Sequence, residues 1–277
     1  MSQLTSDLAN RRAEIDKFDQ EIHRLITERA KVVYGVMRAK AAATAAGEAT
    51  PPFRPGREAE VLRALVARHE GEFPKSSLLR IWREIVSGAT RMQAVQQIAV
   101  VGGDKKIWDL ARDHFGSGAE YQVLPSINEG IDLLSGMAIA AAIVPMASGT
   151  DSGLWWRNIL NAESREGAPY VVARLPFFQA GTSGDALVLS AFATDPSSND
   201  RGVIGVALSD GGNQPALVAP LAVAGAKLTA APIQADNHVW LEVDRLLSND
   251  DPAIAALTAM PSVEKAVVLG GYAVPMA

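Results

Sequence analysis

Three cations on one predicted helix pose the chemical question. Leu4, Leu8, Arg11, Ile15, Phe18, Ile22, Leu25, Arg29, Val32, Val36 and Ala39 recur in alternating steps of three and four. That spacing is a heptad seam and predicts a long helix packed against one or more other long helices. A guanidinium cannot shed its proton, so Arg29 in such a seam needs an anion and well-formed hydrogen bonds. Two occupants meet the need: a Glu or Asp from another helix, or an anionic ligand. Lys40 lies eleven residues further on, so it shares a face with Arg29 at a rise of about 16 Å. Two long cationic side chains leaning together across that gap could clasp a small dianion. Arg12 lies about 25 Å back along the same helix, beyond a small ligand held by Arg29. If Arg12 belongs to that site, a second chain supplies it, which implies an intertwined dimer.

The elements that must position these residues follow from the wider pattern. Up to about residue 95 the chain is helical in character and rich in Arg, Glu, Ala and Leu. Thr5, Ser6 or Asp7 can cap the first helix, which runs out through Gly47 into Pro51-Pro52. The second opens at "FRPGREAEVLRALVARHEG", with Pro55 in its first turn, Glu58 and Glu60 at the positive end of the helix dipole, and Gly71 as its stop. Taken alone, Arg57-Glu58 reads as helix-start electrostatics. The third, "KSSLLRIWREIVSGATRMQAVQQ", sets Leu78, Trp82, Ile85, Ala89 and Met92 on one face with Gln93 beside them.

Beyond residue 95 the composition turns β-branched. "IAVVG", "YQVLP", "AAIVPM", "YVVARL", "ALVLSAF", "GVIGVAL", "HVWLEVD" and "AVVLGGY" alternate with helix-like segments such as "IWDLARDHF" and "INEGIDLLSG". Such alternation predicts α/β units around a sheet. The polar stretch Thr194 to Gly202, "TDPSSNDRG", reads as a linker. Three parts are expected: a helical domain over 1–95, an α/β domain over 96–198, and a small α+β domain over 199–277.

Bulk properties narrow the partners. The 277 residues carry a formal net charge of −5, which argues against nucleic acid, since phosphate binding draws on a basic surface. No cysteine is present, so disulfides and thiolate zinc sites are ruled out. His23, His69, His114 and His238 show no metal-ligand spacing and read as surface or capping residues. Neither a metal nor a cofactor is expected. The N-terminus is polar and acidic where a secretory signal is basic and then apolar, and the run "LLSGMAIAAAIVPMA" is short of the ~20 residues that span a bilayer. It reads as a helix end followed by a buried strand, with no membrane partner and a cytoplasmic location.

Over residues 8 to 95, "RRAEIDKFDQEIHRLITERAKVVYGVMRAK", "RPGREAEVLRAL" and "IWREIVSGATRMQ" resemble the all-helical chorismate mutases. The resemblance implies a three-helix fold whose long first helices interlock in a homodimer, with chorismate as substrate. It implies that Arg29 binds one substrate carboxylate and that Arg12 reaches the other from the partner chain. Lys40 and Gln93 are implied as donors to the ether oxygen. Arg57 and Glu58 match the family's Arg-Glu pair, whose glutamate accepts from the substrate hydroxyl. Arg12 is preferred to Arg11 because its spacings of 17 to Arg29 and 28 to Lys40 fit the family pattern. Two positions depart from it: Arg54 stands where an aspartate is often found, and Ala89 where a serine is common.

After such a domain, "IAVVGGDKKIWDLARDHFG", "INEGIDLLSGMAIAAAIVPMASGTDSG" and "SGDALVLSAF" resemble prephenate dehydratase, and residues 199–277 resemble the ACT-type regulatory domain that follows it. On its own, Gly102-Gly103 reads as a plain strand-to-helix turn more readily than as a phosphate loop. The dehydratase chemistry is eroded. Its glycine-rich turn is replaced by "GGDKK", its Glu-Asn by Ala147-Ser148, and its catalytic Thr-Arg-Phe by Gly184-Asp185-Ala186. An aspartate facing an anionic substrate repels it. The ACT-like part lacks the family's Glu-Ser-Arg-Pro segment and keeps only Pro215-Ala216-Leu217 of another. The expectation is a chorismate mutase with a non-catalytic C-terminal region. The alternatives are a bifunctional mutase/dehydratase, and a regulatory or binding protein that retains the fold without turnover.

Overall fold

The computed structural model describes residues 2–45, 51, 53–150, 153–162, 167–179, 185–210 and 212–277. The chain divides into two compact units, residues 1–52 with 88–94, and residues 53–87 with 95–277. These differ from the three-part division at 95 and 198, because most of the second and third helices belongs to the larger unit.

The first unit is dominated by α1 (Ser2–Ala45), a helix of 44 residues. It is already helical at Ser2, so Thr5, Ser6 and Asp7 lie inside it rather than capping it. The expected exit through Gly47, and Pro52 after it, fall outside the described residues. Ion pairs Arg11–Glu14, Arg24–Glu21 and Lys31–Glu28 stitch successive turns, each contributing a few tenths of a kcal/mol. The predicted seam is uncovered in the single chain. Ile15, Ile22 and Leu25 are exposed, Phe18 is 68% accessible and Val32 69%. Arg29 is exposed with them, so the expected burial of its guanidinium does not occur within one chain.

The second unit contains α2 (Pro55–Ala67), most of α3 (Lys75–Arg91), and one nine-stranded sheet. Its strands are β1 (Gln97–Val101), β2 (Glu120–Leu124), β3 (Ala141–Pro145), β4 (Tyr170–Leu175), β5 (Ala186–Ser190), β6 (Asp200–Leu208), β7 (Ile233–Ala235), β8 (His238–Val243) and β9 (Val263–Ala273). The helices α4 (Lys105–Phe115), α5 (Ile127–Ser135), α6 (Trp156–Asn161), α7 (Val218–Val223) and α8 (Pro252–Thr258) alternate with them. The spatial order is β2-β1-β3-β5-β4-β9-β6-β8-β7. β1 pairs in parallel with β2 and β3, whereas β6 pairs antiparallel with β8 and β9. The α/β and α+β parts are thus two ends of one sheet, joined where β4 meets β9 at Val171 and Gly270. Gly270 has φ +133°, and a Cβ there would stand 2.2 Å from the Val171 carbonyl oxygen. Only glycine lets the two ends close.

Trp155 and Trp156 are both buried in the core. Their rings meet Trp240 of β8 edge-on at 5.8 and 6.0 Å, a preferred aromatic geometry. The stretch expected as a linker is an anchor. Asp195 accepts from the Gly56 and Arg57 backbone N–H groups at 3.0 Å each, capping α2 from 139 residues away. Arg63 gathers the Ser197 carbonyl at 2.6 Å, the Asn199 carbonyl at 2.9 Å and the Val274 carbonyl at 2.7 Å. The "GGDKK" turn carries positive φ at Gly102 and Gly103, and Asp104 caps α4 by accepting from Lys106 N–H at 2.7 Å. The turn is a strand-to-helix turn closed by its own side-chain cap. No helix among the described residues is long and apolar enough to cross a membrane.

Candidate functional site

The expected site residues fall in both units. Arg12, Arg29 and Lys40 lie on the unbroken α1, and Gln93 lies two residues past the end of α3; all four belong to the smaller unit. Arg12 and Arg29 are exposed, and among the described residues no carboxylate stands within ion-pair distance of either. An internal salt bridge is therefore not what holds Arg29 in the seam of the single chain. The separation of Arg12 and Arg29 along one continuous helix remains about 25 Å. Lys40 is half-buried and donates to the Pro51 carbonyl at 3.0 Å. The Gln93 amide nitrogen donates to the Ala89 carbonyl at 3.2 Å, and its Oε1 is buried with no partner among the described residues. An amide with one end unspent is available to a ligand.

Arg57 and Glu58 belong to the larger unit, on the first turn of α2. Neighbours in sequence, they face different partners. Arg57 is exposed and pairs with Glu60 at 3.0 Å. Glu58 is drawn inward to Arg83 of α3, whose Nη1 donates to its Oε2 at 2.8 Å. Burial pushes the Glu58 carboxyl up more strongly than the Arg83 charge draws it down, with Asp195 adding to the rise. Burial likewise lowers the Arg83 guanidinium against the pull of Glu58. Both shifts oppose ionisation, so the pair is held at a desolvation cost. Arg54, at the position of a family aspartate, ion-pairs with Asp195 at 3.1 Å. Its place at the α2 cap gives that departure a structural role.

Arg83 was not anticipated. It lies four residues after Leu79 and four before Ser87, and all three are buried. The predicted apolar face, by contrast, leaves Trp82 and Ile85 half-buried and Met92 exposed. A polar stripe is tolerated because each member finds a partner: Arg83 meets Glu58, and Ser87 donates to the Phe115 carbonyl. Leaving Glu58 buried without its cation should be expensive. Arg83→Ala is expected to lower stability by about 3–5 kcal/mol, whereas the double variant Glu58→Leu with Arg83→Met should lose far less. Urea denaturation of both single variants and the double one measures this coupling. Additive losses would show that the pair is not a unit.

His114 of α4 is the one histidine placed against expectation: it is buried, not at the surface. It packs edge-on against Phe53 at 6.2 Å and Phe115 at 4.7 Å. Burial first, and the Arg83 cation second, hold its imidazole well below the ordinary value of 6.5. A folded-state value below the unfolded one means that the unfolded chain takes up the proton first. His114 therefore contributes stability fully above about pH 6.5, and that contribution falls as the pH drops further, by at most about 1.4 kcal/mol per unit. Melting temperatures from pH 8 to 5 should decline less steeply for His114→Phe than for the native chain. Parallel curves would exclude His114 as the source.

Asp185, expected to confront a substrate anion, is instead neutralised. Arg174 of β4 donates to it from Nε at 3.0 Å and Nη2 at 2.6 Å. Gly184 lies outside the described residues. Behind this pair, Tyr272 donates to Glu242 at 2.8 Å and Trp240 donates to it at 3.2 Å. This buried carboxylate ties β8 to β9.

Comparison with known proteins bears on the N-terminal helices, which the two units share. Residues 11–94 match the family model of chorismate mutase type II. That segment is similar to chorismate mutase type II, and the chain continues into a mixed α/β region. The bifunctional chorismate mutase/prephenate dehydratase of Pseudomonas aeruginosa is 28% identical over 144 residues, 52% of this chain and 40% of that protein. The protein of the same description from Aquifex aeolicus is 30% identical over 128 residues, 44% of this chain and 34% of its own length. The match thus spans less than half of either relative. Among solved structures, the prephenate dehydratase of Streptococcus mutans superposes with a TM-score of 0.47 at 17% identity, over 66% of this chain and 100% of that one.

Proposed function

We propose that the protein converts chorismate to prephenate in aromatic amino-acid biosynthesis. The observation that carries this is the family match over residues 11–94, which contains Arg12, Arg29, Lys40, Arg57, Glu58 and Gln93 together. The rearrangement is concerted and pericyclic. It needs no nucleophile, metal or proton shuttle, only that the enolpyruvyl side chain be held over the ring. Arg29 and the partner chain's Arg12 fix the two carboxylates. Lys40 and Gln93 donate to the ether oxygen, where negative charge grows as the bond breaks. Arg83 occupies only Oε2 of Glu58, which leaves Oε1 to accept from the substrate hydroxyl. Arg57 completes the family's Arg-Glu pair.

The dimer belongs to the same proposal. The exposed stripe Leu8, Ile15, Phe18, Ile22, Leu25, Val32 and Val36 supports it, since each such side chain contributes about 1.5–3 kcal/mol when fully withdrawn from water. The division into a mutase part over 1–95, a dehydratase-like part over 96–198 and an ACT-like part over 199–277 is proposed as the chain's ancestry. Its dehydratase-like part lacks the catalytic Thr-Arg-Phe, and the Asp185 that stands there is engaged by Arg174. We expect no phenylpyruvate from it. Supplying chorismate and following its loss, then prephenate and phenylpyruvate, tests the whole reading. Undiminished chorismate would sink the mutase assignment; enzymatic phenylpyruvate would make the chain bifunctional.

A further inference from the structure

A cavity in the larger unit borders the Glu58–Arg83 pair, on the side of Arg83 away from its bond to Glu58. It has a volume of about 120 Å³ and opens between α3, α4 and the segment after β4. Arg83 and His114 line it, both more than nine-tenths buried. Leu110, Phe177 and Phe178 supply apolar wall, and the exposed Ser76 stands at its edge. The Arg83 guanidinium carries five N–H donors, and among the described residues only the one bond to Glu58 is made. Its Cζ stands 5.6 Å over the Phe177 ring, which covers one face and fixes the plane of the fork. The His114 Nε2 is also buried without a partner. Buried polar groups left unspent are costly, and the unspent N–H groups of Arg83 beside apolar walls call for an occupant with an acceptor at one end.

We propose that this cavity binds a small monocarboxylate with a compact apolar body, its carboxylate on the free edge of Arg83 and its body against Leu110, Phe177 and Phe178. Size and charge both limit the ligand. A closed apolar cavity of about 150 Å³ takes up benzene, so about five non-hydrogen atoms fit inside this smaller one, and a branched carboxylate of slightly greater size extends to the open mouth beside Ser76. One negative charge suits a single buried cation that already shares its other edge with Glu58. At the rim, Arg80 is paired with Asp113 at 3.1 Å, so no second cation is free for a dianion and Asp113 would repel one. Arg83 meets the carboxylate as a planar donor fork, a geometry that a lysine cannot reproduce.

The probe is isovalerate, with isovaleramide as its neutral isostere and inorganic phosphate as the dianion control, titrated by calorimetry into the full-length protein. Isovalerate is expected to bind one per chain, at least about tenfold more tightly than isovaleramide or phosphate, a difference of about 1.4 kcal/mol. Arg83→Met should abolish binding, but it also unpairs Glu58 and could unfold the chain. Ser76→Trp is the companion variant. It places a bulky ring at the exposed mouth, and should cut isovalerate binding at least about tenfold with circular dichroism and melting temperature unchanged. Three results would overturn the site. These are no binding up to about 10 mM, where even a weak specific contact registers; equal binding of the acid and the amide; or undiminished binding by Ser76→Trp. Arg83 links this cavity to Glu58, so isovalerate binding is read directly by calorimetry, and its failure leaves the chorismate assay unaffected.

Discussion

Replacing Lys40 with alanine should cut kcat for chorismate by about two to three orders of magnitude while the protein stays folded. The two effects separate because the side chain does different things in the two processes. In the folded chain its ammonium donates to the Pro51 carbonyl at 3.0 Å from a half-buried position. Losing one such bond from a charged donor costs about 1.5–3 kcal/mol when buried, and less at this half-buried position. In the rearrangement, a cation aimed at the ether oxygen meets little charge in the ground state and much more in the transition state. That difference is worth about 2.7–4 kcal/mol for a single preorganised donor. The loss should therefore appear in kcat and kcat/KM together, with KM nearly unchanged. Circular dichroism and urea midpoints supply the control. A variant with raised KM and native kcat would assign Lys40 to ground-state binding, and an unfolded one would assign it to structure. Gln93→Ala should fall in the same direction by less, since a neutral amide is a weaker partner for developing charge than an ammonium.

Much of this architecture is legible in the sequence because local rules decide it. The eight β-branched runs read beyond residue 95 all lie in strands, and Pro55 opens α2 as its ring requires. β7 was missed because three residues, Ile233–Ala235, are too few to show an alternation. The other misses share one cause: a partner far away in the chain. Asp195 is unremarkable among polar residues until the end of α2 is seen to lie 139 residues from it in sequence and against it in space. Arg83 sits at helical spacing from Leu79, yet periodicity favoured the face of Leu78 and Trp82, since only Glu58 makes a buried arginine acceptable there. Asp185 reads as repulsive until Arg174 of the neighbouring strand is placed beside it. Within the candidate site, residue type and spacing were readable, while the commitments of those residues to protein partners were not. Glu58 is the clearest case, since the motif names the residue and only the fold shows that Arg83 already holds one of its oxygens.

Mixing Arg12→Ala with Arg29→Ala should restore activity that neither variant has alone. Each homodimer lacks one of the two arginines at both of its sites. One of the two substrate carboxylates then loses its charge-assisted partner, so turnover should drop by at least about a hundredfold. In the mixed dimer the geometry changes the outcome. Arg12 and Arg29 of one helix lie about 25 Å apart, so in the proposed dimer each site takes Arg29 from one chain and Arg12 from the other. One site of the heterodimer then contains both arginines, and the other contains neither. Random exchange makes about half the dimers mixed, each with half its sites complete, so activity should recover to about a quarter of the native value. Co-expression of differently tagged chains, followed by purification through both tags, isolates the mixed species and should raise that to about half. If Arg12 instead served its own chain's site, one site of the heterodimer would lack Arg12 and the other would lack Arg29. No complete site could form, and the mixture would stay at the level of its parents. The same contact can be attacked from its apolar side. Phe18 is 68% exposed in the single chain, so Phe18→Glu should cost the monomer little, yet dissociate the dimer and abolish turnover with it.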